Sequence, residues 1–350
     1  MAKKGDKKKN IKKYQGLGFT KNIFRVNFNH AGPQRQFVYI QRFPISYKNS
    51  QLVSQCVDFS SYFDWMGQIR EYSLRPIMKK IIRWTSGGKW GLATNSVKLK
   101  VFDLLRADDV LEVRLWLEKI SGHENIYHLS FDWLRFLATN SYDRVATSSL
   151  VITCVKIIGH GKAVIVKPPG FLKVFFDYMR PKSINKKPLE KYRTLFLNVN
   201  LGKKIRDYNE NSVFLFKNLY KTSLENSNLI GNIYFSNYSK WINSTKDLFL
   251  YKNNPSLFNK KRFRGEFVTL ECKASHLHEA MPFDTIFVKM YLKELYEKGI
   301  TLKFEIFKRK KNHSEKLADI TQVIAFVQYD SLIPRISKIP LNILHLFGSR

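Results

Sequence analysis

Acidic residues and cysteines are scarce in this sequence, and long apolar runs are missing. The 350 residues include 28 Asp and Glu against 60 Lys and Arg, which gives a formal net charge of +32. Cys56, Cys154 and Cys272 form no CxxC pair and no even-numbered framework, so we expect reduced thiols in a cytoplasmic protein. Since no run reaches about 18 apolar residues, the sequence predicts no transmembrane helix.

The N-terminal segment is basic and has no apolar stretch behind its lysines. Residues 1–13 contain seven lysines and almost no apolar residue. A secretory signal needs an apolar core after its positive charges, so this segment is not typical of one. We expect residues 1–18 to form a disordered basic tail.

The chain contains one pattern twice, which favours an internal repeat over a chance likeness. No insertion separates the landmarks, and helix, strand and terminal proline recur in the same order. Landmarks of the first copy recur 176 positions later: Tyr62, Trp65, Arg70, Asp108 and Val110 correspond to Tyr238, Trp241, Lys246, Asp284 and Ile286. We predict a first domain at residues 19–175 and a second at 213–350, joined by a linker at 176–212 that is rich in Lys, Asn and Pro.

The residue pattern of each copy predicts one long helix followed by several strands. In the second copy, apolar residues recur at steps of three and four from Tyr238 to Phe249, which is one stripe of an amphipathic helix. Alternation in Val97–Val101 indicates a half-buried strand. The predicted fold class is therefore α+β, with an antiparallel sheet around the helix of each copy. Two such domains in one chain can pair edge to edge as a pseudo-dimer.

A polar loop precedes the second helix and carries the most specific signal. It reads Asn228-Leu229-Ile230-Gly231-Asn232-Ile233-Tyr234, followed by Asn237-Tyr238 and Trp241. This stretch resembles hotdog-fold, 4-hydroxybenzoyl-CoA thioesterase-like enzymes, above all the subgroup that releases polyene chains from enediyne polyketide synthases. That subgroup has Thr-Asn-Leu-Val-Gly-Asn-Val-Tyr here. The resemblance covers about residues 213–347 and implies a tandem double hotdog fold.

The resemblance implies an acyl thioesterase that hydrolyses a polyketide or fatty acyl chain bound to an acyl carrier protein or coenzyme A. It assigns catalysis to Asn228, Gly231, Asn232 and Tyr238. Many hotdog thioesterases have a carboxylate at the position of Asn228. An amide is no general base near neutral pH, but it can orient water or the thioester through hydrogen bonds.

Three further residues are predicted to bind substrate. The subgroup has Arg five positions after its tryptophan, where the second copy has Lys246 and the first has Arg70. Lys keeps the charge without the planar fork of Arg, so a solvated helix face is an equal alternative for Lys246. Arg70 could reach across the interface between the copies. Glu271 is, with Glu225, one of the carboxylates near the loop.

The first copy lacks the intact loop. Glycine is needed where a backbone is left-handed or closely approached, so its loss matters most. The replacements are Gln51 and Gln55 for the asparagines, Ser54 for Gly231, and Val57 or Asp58 for Tyr234. We therefore expect the second copy to carry the site and the first to be its structural partner.

The positive charge fits an acidic acyl carrier protein as partner, and a polyketide or fatty-acid synthase beyond it. AT-rich codon usage is an alternative explanation for part of the charge. Nucleic acid is an alternative partner, although the sequence has no RNA-binding motif with aromatic residues for stacking. Association of two whole chains into a homodimer stays open, because no residue pattern predicts it.

No cofactor or metal is predicted. His276 and His278 share one face of a strand, but a third ligand is not evident. The competing class is a catalytically silent hotdog protein that binds acyl chains or is a scaffold of a biosynthetic pathway. It is favoured by the missing carboxylate at Asn228 and by the Arg-to-Lys change at Lys246.

Overall fold

The computed structural model describes ten stretches of the chain: residues 24–26, 39–51, 56–88, 90–137, 141–159, 162–179, 199–208, 212–259, 263–329 and 334–348. The predicted tail at 1–18 and residues 180–198 of the predicted linker lie outside the described residues. Among the described residues, no helix is both long and apolar enough to span a bilayer.

The first half of the structure comprises residues 39–179 and contains one long central helix and several long strands. The elements up to its end are β1 (Phe24–Val26), β2 (Tyr39–Pro44), α1 (Phe59–Ser73), α2 (Met78–Thr85), β3 (Trp90–Val101), β4 (Val110–Ser121), β5 (Ile126–Phe136), β6 (Tyr142–Gly159), β7 (Lys162–Ile165) and α3 (Gly170–Met179).

The second half, residues 204–348, repeats that order. Its elements are β8 (Lys204–Asp207), β9 (Val213–Lys221), α4 (Ser236–Asn253), β10 (Gly265–His276), β11 (Thr285–Tyr296), β12 (Gly299–Arg309), β13 (Ser314–Gln328), β14 (Arg335–Ile336) and α5 (Leu341–Gly348). Short 3₁₀ helices lie at Tyr47–Asn49, Arg75–Ile77, Leu224–Asn226 and Pro255–Phe258.

The predicted class, helices on an antiparallel sheet, is confirmed. The long helix expected in each copy is present as α1 and α4, and the strand indicated by Val97–Val101 is part of β3. The short helices α2, α3 and α5 were not predicted from the sequence. Part of the predicted linker also forms a strand, since β8 pairs with β11.

The strands join into one sheet that runs through both halves. Within the described residues its order is β1-β2-β4-β5-β6-β3-β10-β13-β12-β11-β8, with β9 also on β11, and every pair is antiparallel. The order is mirrored about the β3–β10 pair, where Ser96–Lys100 lies against Glu271–Ser275. The edges of the two halves therefore meet in the middle of the sheet.

Local sequence sets the bounds of the two long helices. Asp58 caps α1, because its carboxylate Oδ1 accepts a hydrogen bond from the Ser60 N–H at 2.8 Å. Pro76 follows the end of α1 and Pro255 follows the end of α4, and proline cannot continue a helix in its interior. Both helices therefore end at similar places in their halves.

The helices bury their apolar faces against the concave side of the sheet. Trp65 on α1 and Trp241 on α4 are both buried, each beside a tyrosine one turn earlier. One hydrophobic cluster extends from Tyr39 to Phe347 and includes residues of both halves. The two halves therefore share a core, and we expect them to unfold together.

Phe249 on α4 tests how strongly the helix is held by this core. Its ring is buried and packs against Phe216 and Phe347, so Phe249→Ala should lower the free energy of unfolding by about 3–5 kcal/mol. The control is Lys240→Ala on the same helix, which removes only an exposed ion pair to Asp64 and should cost less than about 1 kcal/mol. Urea denaturation followed by circular dichroism measures both, and equal losses would contradict the packing of Phe249 in the core.

Candidate functional site

The loop that precedes α4 is a closed turn held by its own hydrogen bonds. Ser227 and Ile233 form an isolated bridge at its base. Inside it, the Gly231 N–H donates to the Asn228 carbonyl at 2.9 Å, and the Asn228 side-chain oxygen accepts from the Ile230 N–H at 2.9 Å. Gly231 has φ +91°, so the predicted need for glycine is met by a left-handed backbone.

Asn232 turns the other way, toward the start of β11. Its side chain forms a hydrogen bond with the carboxylate of Glu279. Burial raises the pKa of that carboxyl, and the hydrogen bond opposes this rise. Its Oδ1 atom is buried and has no partner among the described residues. Asn228 and Asn232 therefore organise the loop and the chain behind it.

Tyr238 lies beneath the loop. Its hydroxyl accepts a hydrogen bond from the Ala280 N–H at 3.1 Å, and burial raises the pKa of the phenol. Its ring packs edge-on against His276, whose pKa burial lowers to about 4, so this imidazole is neutral. Among the described residues, no group of three His, Cys, Asp or Glu side chains could hold a metal ion.

Tyr234, at the end of the loop that precedes α4, fills the space between this loop and Gly67 of α1. The Tyr234 hydroxyl donates to Glu71 Oε1 at 2.7 Å and accepts from Arg70 at 3.4 Å. A Cβ at Gly67 would overlap the Tyr234 side chain, so glycine is required for this close approach. Arg70 thus contacts Tyr234 of the second half, and its predicted substrate-binding role stays a prediction. We call this contact the tyrosine junction.

The loop that precedes α1 meets α4 in a different way. The Asp58 Oδ2 atom accepts hydrogen bonds from the side-chain amides of Gln51 and Asn243, both at 2.8 Å. Asn243 belongs to the second half, so the carboxylate joins the two halves while it caps α1. We call this contact the carboxylate junction.

Lys246 lies one turn further along α4 and is almost fully buried. Its ammonium donates to Asn243 Oδ1 at 2.8 Å and forms an ion pair with Asp247 at 3.6 Å. The alternative of a solvated helix face is therefore wrong for Lys246, because the first half covers it near Phe59. Desolvation raises the pKa of the Asp247 carboxyl, while Lys246 opposes that rise.

Two cavities meet at the carboxylate junction. An open cleft of about 400 Å³ lies on its solvent side, and a more enclosed inner cavity of about 290 Å³ lies beneath α4. Asp58, Asn243, Asp247 and Phe258 line both. The open cleft is also lined by Ser60, Lys240, Ser244, Leu248 and Tyr251. The apolar residues of the inner cavity are Leu250, Leu257, Phe263, Phe267, Phe326 and Ile343.

The two junctions use equivalent positions 176 residues apart. At the carboxylate junction these are Asp58, Asn243, Lys246 and Asp247, and at the tyrosine junction they are Tyr234, Gly67, Arg70 and Glu71. A short carboxylate opposite Asn243 leaves space for a cavity, whereas the tyrosine ring opposite Gly67 occupies it.

The predicted site residues are thus divided between several places. Lys246 lines the inner cavity, and Arg70 belongs to the tyrosine junction. Neither the open cleft nor the inner cavity, as described, is lined by Asn228, Gly231 or another residue of that loop, nor by Tyr238. The assignment of catalysis to the loop stays a prediction.

Glu271 lies away from both junctions. Its carboxylate forms ion pairs with Lys273 at 2.8 Å and Lys98 at 3.9 Å, beside the β3–β10 pair. Lys98 comes from the other half, so this contact connects the two edges at the centre of the sheet. The predicted substrate-binding role of Glu271 stays a prediction.

Sequence reasoning missed Asp58 and Asp247. Asp58 entered it only as a replacement for Tyr234, and Asp247 did not enter it. One signal was available: Asp247 and Glu71 hold a carboxylate at the same position of both copies in a chain with few acids.

Comparison with known proteins agrees with this fold. Residues 224–347 match the thioesterase-like superfamily. No curated protein matches the chain. A structure described as an oleoyl thioesterase from Lactobacillus plantarum is 9% identical, covers 83% of this chain and 96% of that chain, and gives a TM-score of 0.54.

Two further solved structures are similar to all or part of this chain. The 12:0-ACP thioesterase from Umbellularia californica is 9% identical, covers 85% of this chain and 98% of that chain, and gives a TM-score of 0.53. The Dynemicin thioesterase is 22% identical over 38% of this chain and 95% of that chain, with a TM-score of 0.36. The resemblance to hotdog thioesterases is confirmed, and the chain has a hotdog-like fold with a large antiparallel sheet.

The left-handed glycine of the second loop provides a stability test. Gly231→Ala should lower the free energy of unfolding by about 1–2 kcal/mol, because a side chain disfavours positive φ. Gly87→Ala is the control: Gly87 is exposed and open to a Cβ, so its loss should be neutral or slightly stabilising. Thermal denaturation compares the two variants, and an unchanged midpoint for Gly231→Ala would contradict the loop conformation.

Proposed function

We propose that the protein is an acyl thioesterase made of two tandem hotdog domains, and that hydrolysis takes place where the open cleft meets the inner cavity. The observation that carries the proposal is that Asp58 and Asp247, from different halves, line both cavities. The superfamily match supports the reaction class. The mirrored sheet and the whole-chain likeness to thioesterases support domains at 19–175 and 213–350.

Asp247 is the general base in this proposal. Desolvation raises its pKa, which makes the carboxylate a stronger base, and its side chain is still 42% exposed, so water can reach it. The carboxylate takes a proton from water as the water oxygen attacks the thioester carbonyl carbon. The C–S bond of the tetrahedral intermediate then breaks, and the thiolate that leaves takes up the proton held by Asp247, which regenerates the carboxylate. Lys246 and Asn243 hold the carboxylate in place.

Asp58 positions the group that stabilises the oxyanion in this proposal. It fixes the first turn of α1 beside the cleft, and Ser60 of that turn lines the cleft. Asp58 already occupies the N–H groups of Ser60 and Ser61, so the Ser60 hydroxyl is the proposed hydrogen-bond donor to the oxyanion of the intermediate. The carboxylate of one half and the hydroxyl of the other therefore supply complementary parts of the chemistry.

The proposed substrate is an acyl group on an acyl carrier protein, with coenzyme A thioesters as the other source. Polyketide and fatty acyl chains both suit this chemistry. Charge favours the carrier protein: residues 248–264, which include the cleft residues Leu248 and Tyr251, contain five Lys and Arg and no Asp or Glu. An acidic partner is attracted to a segment with this charge.

The silent alternative loses its main support. It was favoured because Asn228 stands where related enzymes have a carboxylate. Asp58 and Asp247 provide carboxylates at the opposite junction, next to a cavity, and this favours hydrolysis over a purely acyl-binding role.

Neutral substitutions of the carboxylates test the proposed site. Asp247→Asn should lower kcat by about 10²–10⁴-fold, since it removes the base while keeping the shape of the side chain. Asp58→Asn should also lower kcat, and it keeps helix α1 capped because Asn is an equally good N-cap. Release of free thiol from acyl thioesters measures both.

The control is Glu71→Gln, the equivalent substitution at the tyrosine junction, which should leave kcat within about twofold of the parent. Asn228→Ala distinguishes the two loops. If Asn228→Ala removes activity while Asp247→Asn does not, the loop before α4 carries the chemistry, and our placement is wrong.

The pH dependence tests the link between Lys246 and Asp247. Asp247 must be ionised to act as a base, so kcat/KM should fall as pH decreases through its raised pKa. Lys246→Met removes the positive charge that opposes this rise, so the acidic limb should move to higher pH. Lys246→Arg keeps the charge and should move it little. An acidic limb that is the same in all three proteins would rule out Asp247 as the titrating base.

A further inference from the structure

Building on the proposed function, we infer that the inner cavity holds the acyl chain and limits it to a medium length. The cavity measures about 290 Å³. A water molecule, whose volume is close to that of a methylene group, takes up about 30 Å³ in the liquid, so the cavity holds roughly ten such groups. Acyl chains of about eight to twelve carbons therefore fit, and those of sixteen or more do not.

Along α4 the lining changes from polar to apolar, and elsewhere Glu266, whose carboxylate accepts a hydrogen bond from Tyr329, is the charged residue among the apolar ones. Asn243, Lys246 and Asp247 line the cavity where it meets the open cleft, and Leu250 lines it two turns after Asn243. A helix rises 1.5 Å per residue, so Asn243 and Leu250 are about 10 Å apart along the axis. A thioester at the carboxylates can thus extend its alkyl chain toward the apolar part.

Three phenylalanines that contact one another line the apolar part. The Phe326 ring packs against Phe263 with centroids 5.9 Å apart and against Phe267 with centroids 5.4 Å apart. Phe326 is fully buried on β13, in the second half of the sheet, so it cannot move aside into solvent. Ile343 of α5 lines the same cavity. We assign chain-length selection to Phe326 and Ile343.

The test compares the parent and its variants on saturated acyl thioesters of four to eighteen carbons. The parent should be most active, by kcat/KM, at eight to twelve carbons and at least tenfold less active at sixteen. Phe326→Ala enlarges the cavity and should move the optimum several carbons longer. Ile343→Phe fills it and should move the optimum shorter.

Matched controls separate selectivity from stability. Phe131→Ala removes an equally buried ring from the first half, so it should lower the melting temperature without changing the optimum. If Phe326→Ala does not fold, Phe326→Leu provides a smaller enlargement with a smaller shift. A parent optimum at sixteen or more carbons, or a profile that Phe326 and Ile343 variants leave unchanged, overturns the inference.

Binding of free fatty acids distinguishes failure of this inference from failure of the proposed function. Calorimetry on the parent should show the tightest binding at eight to twelve carbons, with the same shift in the Phe326 variant. This binding profile without thioester hydrolysis would reject the thioesterase and keep the chain-length limit. Hydrolysis with an optimum at sixteen or more carbons would keep the thioesterase and reject the chain-length limit.

Discussion

Pairing between β3 and β10 is the constraint on which the rest of the structure depends. It joins two half-sheets into one, and it brings α1 and α4 side by side on the same face. Each helix then meets the loop before the other helix, so a functional group at either junction comes from both halves. Without that pairing, Asp58 would not meet Asn243, and no cavity would form between them.

The two junctions show how one substitution decides whether space remains beneath a helix. Tyr234 extends over Gly67, and its hydroxyl is held by Glu71 and Arg70. At the other junction the aspartate is too short to fill the space, and its carboxylate binds the amide of Asn243 instead. The residues beneath it, chiefly leucines and phenylalanines, then border an open volume. The tyrosine junction and the carboxylate junction thus differ in how their side chains pack, and not in whether a loop motif is intact.

The fold was largely predictable because it depends on periodicity, which a sequence displays directly. The apolar stripe of α4 and the alternation of Val97–Val101 both appear as expected. The short helices α2 and α5 were harder, since eight residues give too little periodicity. The site was hardest, because a cavity depends on which side chains face each other across the interface. No pattern within α4 shows that Asn243 faces Asp58, or that the first half covers Lys246.

The covalent linkage of the halves has a genetic consequence. In a dimer of identical chains, every substitution appears at both junctions, so an aspartate that opens one would open the other. In a single chain, Asp58 and Tyr234 are encoded separately, as are Gly67 and Asn243. One junction can thus change its chemistry while the other keeps a rigid, tightly packed contact that maintains the alignment of the helices. Joining the two halves in one polypeptide frees each junction to evolve independently of its counterpart.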